Sequence, residues 1–109
     1  MNSRPEWPDD ADGDVFRRLA RSGFDFDSES DIDFNVDIES WPPPDSLLRQ
    51  LRQSYSKVEI VEPDGQSPGY ITFVVKAKLT YELVIAIQRA ATDVAEPFGG
   101  VCESWGVLH

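Results

Sequence analysis

Asp31-Ile32-Asp33-Phe34-Asn35-Val36-Asp37-Ile38-Glu39 decides the fold. Apolar and polar residues alternate through its whole length. Successive side chains of a strand point to opposite faces, so Ile32, Phe34, Val36 and Ile38 are predicted to face a core. Asp31, Asp33, Asn35, Asp37 and Glu39 then share the opposite face. A helix would scatter the same residues round its circumference.

Upstream, Val15, Phe16, Leu19 and Ala20 recur at helical spacing, with Arg17, Arg18 and Arg21 on the other side. This predicts a helix over about residues 13–22, capped by Asp12 and ended by a left-handed Gly23. Residues 1–11, polar and rich in Pro and Asp, read as a loose segment apart from Trp7, and residues 12–109 as one domain. Ser28-Glu29-Ser30 reads as a polar connection into the strand.

Downstream, Pro42-Pro43-Pro44 breaks the strand and opens a second helix with Leu47, Leu48, Leu51 and Tyr55 as its apolar stripe. A short strand over Lys57–Glu62 and a longer one over Tyr70–Leu79 flank a Pro- and Gly-containing turn. The longer strand points Ile71, Phe73, Val75 and Ala77 one way, and Tyr70, Thr72, Val74, Lys76 and Lys78 the other. Thr80 caps a third helix, and Val101–Leu108 reads as a last strand. Cys102, Ser104 and Gly106 are expected to lie under the helices, which leaves Glu103, Trp105 and Val107 on the open face.

A helix followed by two strand–helix–strand units predicts an α+β ferredoxin-like sandwich (βαββαβ) with an extra N-terminal helix and a four-stranded antiparallel sheet. The first and third strands are its central pair. Asp33 and Asp37 are then expected beside Lys76 and Lys78.

The chain has 109 residues and a formal charge of −10. That charge repels a phosphate backbone, so direct nucleic-acid binding is not expected. No apolar stretch can span a bilayer, and the start lacks the apolar core of a signal peptide, which together predict a cytoplasmic protein. Cys102 is the only cysteine and His109 the only histidine, so neither a disulfide framework nor a histidine-based triad or metal site is expected. No cofactor is expected.

Two uses suit the acidic row of the first strand besides a solvated face. Its carboxylates could chelate a hard cation or act as acid and base. The lysines expected alongside weigh against both. Aromatic residues on an open sheet stack bases in ferredoxin-like RNA modules, but the accompanying charge here is negative. A basic, partly apolar protein segment fits better. Asp33, Asn35, Asp37, Tyr70 and Trp105 are therefore the candidate partner-binding residues. The same face could pair with a second copy of the chain.

Asp12-Gly13-Asp14-Val15 with Leu19, the Ser22–Phe26 exit, the Asp31–Asp37 strand and Cys102-Glu103-Ser104-Trp105-Gly106 resemble the RraB family, regulators of ribonuclease E activity of type B. The resemblance runs from about Asp9 to the C-terminus. It implies a ferredoxin-like fold and a cytoplasmic, non-enzymatic inhibitor that binds a basic region of ribonuclease E and modulates RNA turnover. An acidic interaction protein with another partner, such as an immunity protein against a nuclease toxin, shares the fold and the charge.

Overall fold

The computed structural model describes residues 7–107. Residues 1–6 of the expected N-terminal segment, together with Leu108 and His109, lie outside the described residues. In chain order the elements are α1 (Ala11–Arg21), β1 (Glu29–Ile38), α2 (Asp45–Ser54), β2 (Ser56–Val61), β3 (Tyr70–Lys78), α3 (Tyr81–Ala95) and β4 (Gly100–Val107).

The alternation of β1 becomes burial directly. Ile32, Phe34 and Val36 are fully buried, while Asp31 and Asp37 are exposed. The strand begins at Glu29, two residues earlier than its pattern predicts, because Glu29 and Ser30 still pair with Lys78 and Ala77 of β3. The sheet order is β2-β3-β1-β4, antiparallel throughout. β3 separates β1 from β2, and β1 separates β3 from β4. These are the two split βαβ units of the predicted α+β sandwich.

One core joins the layers. Leu47, Leu48 and Leu51 of α2, Val84, Ala91 and Ala95 of α3, and Phe16 and Leu19 of α1 close over the inward residues of the sheet. Phe34 and Phe73 stack at 5.4 Å between ring centroids, and Tyr55 stacks on Phe73 at 4.0 Å. Tyr55 does this from the position that ends α2, not from within its stripe.

Local chemistry sets the helix ends. α1 starts earlier than predicted because Asp10, not Asp12, caps it, accepting from the Gly13 N–H at 2.7 Å. Gly23 lies just past its end with φ +85°, the left-handed conformation that favours glycine. Thr80 caps α3, its hydroxyl accepting from the Leu83 N–H at 3.1 Å.

The β1–β3 register differs from the sequence expectation. Lys76 faces Asp31 and Lys78 faces Glu29, whereas Asp33 faces Val74 and Asp37 faces Tyr70. In an antiparallel pair the late residues of β3 must meet the early residues of β1. The lysines therefore balance the start of the acidic row and not its middle or end.

Two bulges shape the edge strands. On β2, Lys57 takes φ +52° and two residues oppose one between the Ser56–Val74 and Glu59–Thr72 pairs. On β4, Glu103 is the extra residue between the Cys102–Val36 and Ser104–Asn35 pairs. Beyond β1, the Trp41 indole donates to the Glu62 carboxylate at 3.1 Å and lies against Gly69.

Gly69→Ala would place a methyl group 2.6–2.8 Å from three carbons of the Trp41 ring. The substitution is expected to lower stability by about 1–3 kcal/mol, by overpacking, in urea unfolding. Cys102 gives a second expectation. Burial, then the charges of Asp37 and Glu103, push its thiol up to about 12. The thiol should resist alkylation at pH 8 in the folded chain and react on unfolding. Because the folded pKa is raised, its contribution to stability is complete below the unfolded value near 9 and is lost as pH rises from there toward 12. Chemical denaturation across that range measures the loss.

Candidate functional site

The side of the sheet facing away from the helices carries the predicted acidic row. On β1 it shows Asp31, Asp33, Asn35 and Asp37, and on β3 Tyr70, Thr72, Val74, Lys76 and Lys78. The strand pairings arrange these in rows. Val61, Tyr70, Asp37 and Val101 form one; Glu59, Thr72, Asn35 and Ser104 form the next; Ser56, Val74, Asp33 and Gly106 form a third. Asn35 Nδ2 donates to Ser104 Oγ at 3.2 Å across the middle row. A side-chain carbon built at Gly106 would meet nothing within 4 Å, so the face is open there.

Charge is unevenly spread over this face. Lys76 and Lys78 sit opposite Asp31 and Glu29. The three rows beyond them hold Asp33, Asp37 and Glu59 and no cation. Glu59 is absent from the residues that the sequence pattern selects. Alternation with the buried Val58 places it on this face, and the β2 bulge at Lys57 brings Ser56 onto the same face.

Asp33, Asn35, Asp37 and Tyr70 are brought together as expected, but Trp105 is not. The Glu103 bulge reverses the alternation of β4. Cys102 points into the core as predicted, but Ser104 and Gly106 then face outward while Trp105 pairs with Phe34 on the helix side. The Trp105 ring lies 5.3 Å from that of Phe16, between centroids. Its Nε1–H donates to Asp12 Oδ1 at 2.9 Å, and Gln88 Nε2 donates to the other Asp12 oxygen at 3.3 Å. Asp12 is thus an acceptor joining α1, α3 and β4.

Its neighbours complete a brace for α1. The Tyr81 hydroxyl donates to Asp10 at 2.6 Å and, with the Gly13 N–H, holds that carboxyl below its usual range. Arg17 donates to the carbonyls of Trp7 and Pro8 and pairs with Asp14. Trp7 stacks on Phe16 at 5.4 Å, inside an aromatic cluster that includes Phe26.

The open face offers recognition chemistry. Alternate residues along a strand are roughly 7 Å apart, too far to wrap one small cation. Among the described residues no group of three His, Cys, Asp or Glu side chains is placed to hold a metal ion. What the face does present is unpaired negative charge, amide and hydroxyl groups, and one tyrosine.

A family model described as regulator of ribonuclease activity B matches residues 9–107. A search of curated proteins finds no match. The matched span includes both ends of the Asp12–Trp105 bond.

Asp12→Ala is expected to lower stability by about 1–2 kcal/mol, as for a hydrogen bond to a charged group, and to shift the Trp105 emission. Asp12→Asn keeps an acceptor oxygen and should lose less. Urea unfolding followed by tryptophan fluorescence compares the two.

Proposed function

The chain belongs to the RraB family of regulators of ribonuclease activity, and we propose that it regulates a ribonuclease by docking its open sheet face on a basic region of that enzyme. The observation that carries this reading is the uncompensated half of the face, where Asp33, Asp37 and Glu59 have no cationic neighbour across the strands. Asn35, Ser104 and Tyr70 add groups that can hydrogen-bond to a partner.

Complementary charge speeds encounter and selects partners. A basic segment would find the carboxylates unpaired on arrival. A second copy of the chain carries the same formal charge of −10, and bringing like charges together is penalised. The face therefore suits a different protein better than it suits self-association. By the family resemblance the target is ribonuclease E, the outcome is slower RNA turnover, and the site of action is the cytoplasm. No described helix is long and apolar enough to cross a membrane. The role needs no catalytic group of the chain's own.

The double variant Asp33→Lys, Asp37→Lys reverses two charges at the centre and end of the face. Its affinity for purified ribonuclease E is expected to fall by about tenfold or more, with a flatter dependence on salt. Calorimetric titration at two ionic strengths measures both. Unchanged affinity would remove the open face as the docking surface.

A further inference from the structure

At the end of the open face farthest from the lysines, the sheet runs into a shallow groove of about 590 Å³. Its lining includes the apolar residues Ile38, Pro68 and Val101 and the carboxylates of Asp37, Glu39 and Glu96. All three carboxylates are exposed, and the groove is lined by no cationic residue. Among the described residues, the only ion pairs are those of Arg17 with Asp9 and Asp14.

Distance keeps this charge uncompensated. Lys76 sits opposite Asp31 across the strands, and Asp37 lies six positions farther along β1. At the rise of a strand that is about 20 Å, beyond a screening length of about 8 Å at physiological salt.

We propose that this groove is the anchor point for an arginine side chain of the partner's basic segment, and it rests on the reading of the open face as the docking surface. Apolar and carboxylate groups lining one groove suit a guanidinium better than an ammonium. The guanidinium is planar, less strongly hydrated, and donates in a fork that fits carboxylate oxygens. Its aliphatic stem would lie against the apolar lining while its head reaches Glu39 and Glu96. The wider face then receives the rest of the segment.

The test uses the ¹⁵N-labelled chain titrated with arginine, lysine and glutamate decapeptides at near-physiological salt. Gly69, Gly99 and Gly100 line the groove and report on it through their amide resonances, while Gly13 and Gly23 lie near the two ends of α1. The arginine peptide is expected to shift the groove glycines selectively and to bind more tightly than the lysine peptide, with no response to glutamate. Glu39→Gln with Glu96→Gln should weaken arginine binding roughly four- to twentyfold. Equal shifts at Gly13 and Gly23, or unchanged affinity in the double variant, would overturn the anchor.

Ribonuclease E binding then separates the two ideas. If Asp33→Lys alone weakens the complex but the Glu39, Glu96 double variant does not, the open face stands and the groove falls. If only the double variant weakens it, the anchor stands and the docking surface narrows to the groove end of the open face. If neither does, both fall. Glu39 and Glu96 are exposed and Asp33 is half-buried on the open face, and a matching thermal unfolding curve shows that each variant keeps the fold.

Discussion

Ile32, Phe34 and Val36 are sealed beneath the helices, between β3 on one side and β4 on the other. With a two-residue repeat, burying those three forces Asp31, Asp33, Asn35 and Asp37 to the opposite side. A slip of one residue would drive carboxylates into an apolar core at prohibitive cost. The acidic face is thus tied to the same register that makes the core. Altering it by moving the strand would unfold the chain before it redistributed the charge.

That dependence also explains how much of the molecule the sequence discloses. The central strand, the helices and their order can be read from local periodicity, because each pattern is completed within one element. The register between β1 and β3 cannot. It joins residues about forty positions apart, and the packing of Phe34 on Phe73 fixes it. The placement of Trp105 is harder still. β4 carries Cys, Ser and Gly at alternate positions, so no hydrophobic alternation marks its inner face, and the extra residue at Glu103 changes phase midway. Asp12 resembles a cap for a related reason. Asp10 and Asp12 are both reasonable caps, and only the bond to Trp105 shows which is otherwise engaged.

Two of the short motifs that carry the family resemblance, those of Asp12 and Trp105, are joined in space. Asp12 near one end of the chain holds Trp105 near the other, while Asp10 bonds to Tyr81 of α3 and Arg17 of α1 holds the Trp7 and Pro8 carbonyls. Such residues preserve an architecture. The carboxylates Asp33, Glu39 and Glu59 lie outside that joint.

The bulge at Lys57 has a consequence for life in a crowded solution. β2 is an outer strand, and straight outer strands invite other chains to add themselves, which leads to sticking and eventually to fibres. A left-handed lysine bends this strand and places a charged, strongly hydrated side chain near its start, with Glu59 and Glu62 farther along. Ile60 and Val61 are exposed between those charges and do not form a longer apolar run. The protein can thus leave one broad sheet face uncovered while its border discourages indiscriminate growth of the sheet.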